Sequence, residues 1–496
     1  MTPERHSLKT KTAHSLKWNL VDRLTTQVLY AVTGIVLARE LSQDDFGLVG
    51  ALLVFQAFAS LIIDSGFSYA LLQRKRPTKL DYSTVLWFNI LVASAAYIVL
   101  YFAAPWISGL FQGDMRLVPL ARVMFLCLIF NAAGIVQTNR LMKAMDVRMV
   151  AASNALGLTL GAIVGIWMAV AGYGAWALVW QSIIIAATKA LVLWTTSRWR
   201  PLWRFSFQSL KSFFGLGSKM MATSMLNTIF QKIYAFVIGN QVSMAALGYY
   251  TQSDKWSTMG TASLSQVFSS SFVPPLSAVQ DDPVRFAAMV SKINRFTAYI
   301  LFPAMLGLMA LATPLFHTLF GEKWDPSIIL FQILLLRGVF TVLNSVYNNY
   351  LLALGHGGAI VKLEIVRDTA AIIALAITLP YLALSTAASP VKGIEIMLWG
   401  QLAATLITWI ASLATAIRLT RVPLGRFILD MLPYLAQTLL IIPIVLFVGS
   451  FIQAAWLKLT VEALLAIAIY LGINAILKSK IQSDALAYIR TKKSNN

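Results

Sequence analysis

The sequence predicts an all-α, polytopic integral membrane protein of about fourteen spanning helices. Three observations predict it. Of the 496 residues, 58% are hydrophobic and 12% charged, with a mean hydropathy of +0.72; soluble domains average about 25% charged. Apolar runs of about 20 residues, the length that crosses a bilayer as a helix, recur from end to end. Lys and Arg collect in every second loop.

The clearest run is residues 47–72, preceded by Asp44 and Asp45 and closed by Arg74, Lys75, Arg76 and Lys79. That asymmetry directs its C-terminal end to the cytoplasm. Before it, residues 19–38 form the first span. Asp22 and Arg23 within that span, and the lack of a small-residue cleavage site, argue against a cleavable signal. The next spans are 85–104, 117–138, 149–170 and 174–196, followed by a basic, aromatic connector at 198–211. Spans seven to twelve are 213–239, 247–273, 293–312, 327–354, 360–384 and 394–417, and two more follow at 432–450 and 454–477.

With an even number of spans both termini lie on one side. Assigning that side as cytoplasm puts about 27 Lys and Arg in inner stretches, among them Arg198, Lys480, Arg490, Lys492 and Lys493, and about 5 in outer loops. The net charge of +20 (40 − 20) is therefore the positive-inside bias summed over loops rather than a nucleic-acid surface. Cys127 is alone, so no internal disulfide forms. The four histidines have no ligand spacing, and no Walker, GxSxG or kinase motif occurs. No cofactor, metal or enzymatic activity is expected, and no loop is large enough for a soluble catalytic domain.

A short internal repeat gives the lobes. Leu41-Ser42-x-x-x-Phe46-Gly47 follows span one, and Val242-Ser243-x-x-x-Leu247-Gly248 follows span seven, 243 − 42 = 201 residues later. Six spans return the chain to its starting side, so the halves read as parallel repeats. The expected organisation is an N-terminal lobe at 1–204, a C-terminal lobe at 205–426, and two added helices with a cytoplasmic tail at 427–496. The lobes would enclose a central cavity.

Polar stripes mark the helices that face it. Span one carries Arg23, Thr26, Gln27 and Tyr30; span seven Lys219, Thr223, Asn227 and Gln231; span eight Tyr250, Asp254, Thr258 and Thr261; span ten Arg337, Thr341, Asn344 and Asn348. Unsatisfied groups cost several kcal/mol in lipid, so such stripes face protein or water. Interhelical hydrogen bonding, about 0.6 kcal/mol per contact, accounts for lone Ser and Thr. Stripes with Lys or Arg point to a hydrated cavity. At about 1.5 Å per residue, Arg23 and Asp64 come out nearly level, as do Lys232 and Asp254. Lys219, Lys255 and Arg337 have no acid at matching depth, which suits an anionic ligand. Arg122 and Lys189 can snorkel and receive no role. Glu364, Arg367 and Asp368 pair locally along one turn.

The stretches Leu41–Leu52 (LSQDDFGLVGAL) and Ile63–Lys75 (IDSGFSYALLQRK), with Leu247-Gly248-Tyr249-Tyr250 and Asp254-Lys255 in the second half, resemble bacterial oligosaccharide flippases of the Wzx type. Their superfamily also holds the lipid II flippase and the multidrug-and-toxin exporters. The resemblance implies a polyprenyl-diphosphate-linked oligosaccharide carried across the inner membrane by alternating access for surface polysaccharide synthesis, with membrane lipid and a polysaccharide polymerase as partners and no nucleic acid. It also implies a cationic cavity on spans one, two, seven and eight. A lipid II-type flippase and an ion-coupled small-molecule exporter of the same fold are the competing expectations; a membrane glycosyltransferase would need an outer or carboxylate-rich loop that is absent.

Overall fold

The computed structural model describes residues 3–197, 199–479 and 481–483; Arg198, Lys480, Arg490, Lys492 and Lys493 lie outside the described residues. The chain falls into two compact units, Met1–Gly248 and Tyr249–Asn496.

In the first unit the helices are α1 (Pro3–Glu40), α2 (Gln43–Asp64), α3 (Phe67–Gln73), α4 (Lys79–Leu110), α5 (Leu117–Met124), α6 (Cys127–Lys143), α7 (Val147–Val170), α8 (Ala175–Thr196) and α9 (Phe207–Gln241). α10 (Met244–Ser277) begins there and continues into the second unit. The second unit then holds α11 (Pro283–Ala310), α12 (Ala312–Leu319), α13 (Asp325–Ala353), α14 (Gly357–Thr378), α15 (Lys392–Thr420), α16 (Leu424–Gly449) and α17 (Ala455–Ile476).

All fourteen expected spans are helical. Among the described residues ten helical segments are long and apolar enough to cross a membrane: α2 with α3, α4, α5 with α6, α7, α8, α11, α13 with the short turn before it, α15, α16 and α17. The other four long helices, α1, α9, α10 and α14, fall short in apolarity because they carry charge and polar stripes.

Local chemistry sets the helix starts. Ser42 caps α2 through Asp45 N–H while the Asp45 carboxylate accepts from Ser42 N–H, and Thr78 and Asp81 repeat this capping box on α4. Asp282 caps α11 ahead of Pro283, whose missing N–H loses nothing at a first-turn position. Ser243 caps α10 through Ala246 N–H.

Two starts meet in the first unit. A β-carbon on Gly47 would overlap the Met244 carbonyl, and one on Gly248 would overlap the Gln43 carbonyl. The two copies of the Ser-x-x-x-x-Gly motif therefore pack reciprocally, with each glycine admitting the other copy's backbone.

The connector after α8 is clamped to the start of α4. Leu202 N–H donates to Ser83 Oγ (2.9 Å), Ser206 N–H to Thr84 Oγ1 (3.2 Å), and Trp87 Nε1 to the Leu202 carbonyl (2.8 Å). Trp199 is buried with Phe67, Leu71, Tyr82, Val136 and Phe213. Burying a large apolar side chain stabilises by about 1.5–3 kcal/mol, so this cluster fixes α3, α4, α6 and α9 together at their shared end.

Candidate functional site

The apolar run at 47–72 is not one continuous helix. α2 stops at Asp64, Ser65 and Gly66 adopt left-handed backbone (φ 49° and 70°), and α3 restarts at Phe67. Gly66 is needed here twice over. Its φ disfavours a side chain, and a β-carbon would run into the Gly217 carbonyl of α9. Interrupted helices mark substrate and ion sites in transporters, because the break frees polar groups at membrane depth.

Asp64 sits at this break. Ser68 Oγ donates to its carboxylate, and Asn139 Nδ2 of α6 donates to Ser68 Oγ at 2.7 Å. Ser68 and Asn139 line a cavity of about 210 Å³ with Asn131, Thr138 and Lys189. Across the same unit, Asn154 Nδ2 on α7 reaches both Asp22 carboxylate oxygens at 3.2 Å, and Asp22 acts electrostatically on Lys189. The cavity gathers two amides, two hydroxyls and one ammonium, with the Asp64 carboxylate held behind Ser68, while Asp22 and Asn154 pair outside its lining. Carboxylate, amide and ammonium together can bind a polar or ionic group and exchange hydrogen bonds with it. Lys143 closes the short α3 from below by donating to the carbonyls of Leu71 (3.0 Å) and Leu72 (2.9 Å), the cation that a helix C-terminus favours.

The expected Arg23–Asp64 pair is not formed. α1 lies along α7, so Asp22 rather than Arg23 turns to a polar partner, and Arg23 is exposed. Matching depth sets the height of a residue but not its direction around the helix. Lys219 is exposed on α9 and Lys232 half-buried; among the described residues neither has an ion pair. Lys189, set aside in the sequence as a snorkelling residue, belongs to the site. The signal for it was the pair Asn131 and Asn139, eight residues apart and thus on one face of a neighbouring apolar span. Arg122 does stay peripheral, its guanidinium 4.7 Å above the Tyr101 ring.

In the second unit Arg337 and Lys255 have neutral partners. Arg337 Nη1 on α13 donates to Gln401 Oε1 on α15 (3.2 Å). The Lys255 ammonium lies 5.4 Å from the Trp256 ring centroid. Asp254 accepts from Thr258 Oγ1 at 3.4 Å. Arg295 and Arg367 are instead paired with acids: Arg295 with Asp430 (3.3 Å), and Arg367 with Glu364 and Asp368 as the spacing predicts. An apolar cavity of about 410 Å³ opens between α11, α16 and α17, lined by Pro303, Gly307, Ile441, Val445, Ala466 and Tyr470 among others.

A family model described as "Polysaccharide biosynthesis protein" matches residues 36–329. The chain is 26% identical over 372 residues to the succinoglycan biosynthesis transport protein ExoT of Rhizobium meliloti, covering 75% of this chain and 74% of that one. It is 24% identical over 355 residues to the lipopolysaccharide biosynthesis protein WzxC of Escherichia coli, covering 70% and 71%. Among solved structures, the lipid II flippase MurJ in an inward closed conformation superimposes with a TM-score of 0.74 at 15% identity, over 93% of this chain and 98% of that one. An inward-facing multidrug transporter of the MATE family gives 0.60 at 15% identity, over 80% and 96%. The fold is that of these multi-span membrane transporters.

Proposed function

Because this chain belongs to the polysaccharide biosynthesis protein family, we propose that it carries a polyprenyl-diphosphate-linked oligosaccharide from the inner to the outer leaflet of the bacterial inner membrane. It does so by alternating access and makes or breaks no covalent bond. Residues 1–204 and 205–426 act as its two lobes, 427–496 as an addition, and both termini are cytoplasmic.

The observation that carries this reading is the pairing of charge in the second unit. Arg337 and Lys255 face an amide oxygen and an aromatic ring, not a carboxylate. Their positive charge stays available to a diphosphate, which bonds guanidinium and ammonium donors more strongly than a neutral amide does. Within the first unit, Arg23, Lys219 and Lys232 carry positive charge of their own that suits an anionic ligand. Asp64 and Asp254 supply acceptors for sugar hydroxyls. The apolar cavity beside α16 and α17 suits the prenyl chain, since its walls offer dispersion contacts and almost no polar group. Release requires that affinity for the diphosphate differ between the inward- and outward-open states. A polysaccharide polymerase takes the product on the outer side.

The competing reading, a small-molecule exporter, draws on the carboxylates of the first-unit site, Asp22 and Asp64, which would attract cationic substrates. Mass spectrometry of polyprenyl-linked glycans after depletion separates the two. The flippase reading predicts accumulation of a diphosphate-linked oligosaccharide; unchanged lipid-linked glycans with altered drug sensitivity would support the exporter.

A further inference from the structure

Glu462 lies in α17, seven residues into a helix that is apolar enough to span the membrane. Its side chain is fully buried, with 0% exposure. Neither carboxyl oxygen has a hydrogen-bond partner among the described residues. Its Oε1 occupies the space where Gly449 lacks a side chain; any β-carbon there would overlap it. Gly449 is the last residue of α16, so the carboxyl group faces the negative end of that helix dipole.

Both circumstances disfavour a carboxylate. An isolated ionised carboxylate in an apolar surrounding carries a very large desolvation penalty and neutralises instead. A helix C-terminus adds repulsion, whereas a protonated carboxyl offers it an O–H donor. The titratable groups on the elements packed against α17 leave Glu462 alone. His317 on α12 binds Asp325 (2.8 Å), Asp430 on α16 binds Arg295 of α11 (3.3 Å), and Tyr434 meets Ser479 (3.3 Å). Tyr470 donates to the Tyr299 carbonyl of α11 (2.9 Å). Arg285, Lys292 and Arg426 stand near the opposite ends of α11 and α16. Among the described residues Lys458, one turn earlier in α17, is the charge that acts on Glu462, and it forms no ion pair with it.

We propose that Glu462 is a proton-binding site: it holds a proton while α16 and α17 are packed together and releases it when the pair parts. The inference rests on the α16–α17 geometry. It adds a coupling proton to the transport reading without depending on which substrate is carried.

The test is infrared spectroscopy of the purified full chain with ¹³C-labelled glutamate, in membranes at neutral pH. The expected result is an isotope-shifted carbonyl band of a protonated glutamic acid, missing from Glu462→Gln. Raising the pH from about 6 to about 9 should lower the melting temperature of the wild type and leave that of Glu462→Gln level. The sign follows because the folded state keeps a proton that the unfolded state has lost, so stability falls as pH rises. Labelled glutamate that shows only carboxylate bands would overturn the proposal, as would a carboxylate band that moves with sodium concentration, which would mark a cation site. Should Glu462→Gln fail to fold, the labelled wild type alone decides. Substrate transport does not enter the measurement, so its result stands apart from the flippase reading.

Discussion

Replacing Gly47 or Gly248 with alanine perturbs the reciprocal helix-start contact by one methyl group each. At both positions the obstacle is backbone, the Met244 carbonyl for Gly47 and the Gln43 carbonyl for Gly248, and backbone cannot rotate away as a flexible side chain can. Overpacking of this kind destabilises by about 1–3 kcal/mol, with both positions at the upper end, and shifts the melting temperature down by a few degrees. Gly109 is the control: it is helical, exposed, and has nothing within 4 Å of an added β-carbon. There alanine gains about 0.5–1 kcal/mol by restricting the unfolded chain. Thermal unfolding of the purified protein in one detergent compares the three. The double variant Gly47→Ala with Gly248→Ala should lose less than the sum of the singles, because both strain the same crossing and one displacement relieves both. Equal melting temperatures for Gly47→Ala, Gly248→Ala and Gly109→Ala would refute the reciprocal packing.

Three further outcomes follow from the site. Lys189→Met should abolish surface polysaccharide export at unchanged protein level, and Asn139→Leu, which strips the donor from Ser68 Oγ while Ser68 still donates to Asp64, should destabilise by about 1–3 kcal/mol; normal export in the lysine variant, scored by complementation, would remove Lys189 from the site. Arg337→Lys should retain more export than Arg337→Ala, since charge rather than the guanidinium fork meets the Gln401 amide; equal loss in both would show that fork geometry is what matters. Fusion reporters at residue 496 and in the loops at Gly113 and Glu322 should read cytoplasmic for the first and periplasmic for the others; a periplasmic C-terminus would invert the topology.

The spans were legible because lipid imposes one rule on sequence: a long apolar run must become a helix. That rule found the fourteen long helices, while the short α3, α5 and α12 carry too few residues to register as spans of their own. It could not see the interruption at Ser65 and Gly66, since Ile63-Asp64-Ser65-Gly66 sits inside an otherwise apolar run and a left-handed pair leaves hydropathy almost unchanged. The lone Gly beside an acid was the available sign. Depth arithmetic placed Arg23 and Asp64 at one level, but which neighbour a helix face meets depends on packing, and α1 turned Asp22 to α7. Lys189 and Glu462 escaped for a related reason. A single charge in an apolar span reads the same whether it snorkels to a surface or is enclosed, and only Gly449 and the asparagines of α6 and α7, distant in sequence, make the difference.

Transport of the lipid-linked sugar can be followed by reconstituting the purified protein into vesicles loaded with a polyprenyl-diphosphate oligosaccharide and measuring the fraction of sugar open to an impermeant reagent. Sugar should cross between leaflets in vesicles with the protein, vesicles without it should show no crossing, and Arg337→Ala vesicles should match the empty ones. Crossing at the protein-free rate, with unimpaired movement of a small cationic substrate in the same vesicles, would contradict the flippase reading.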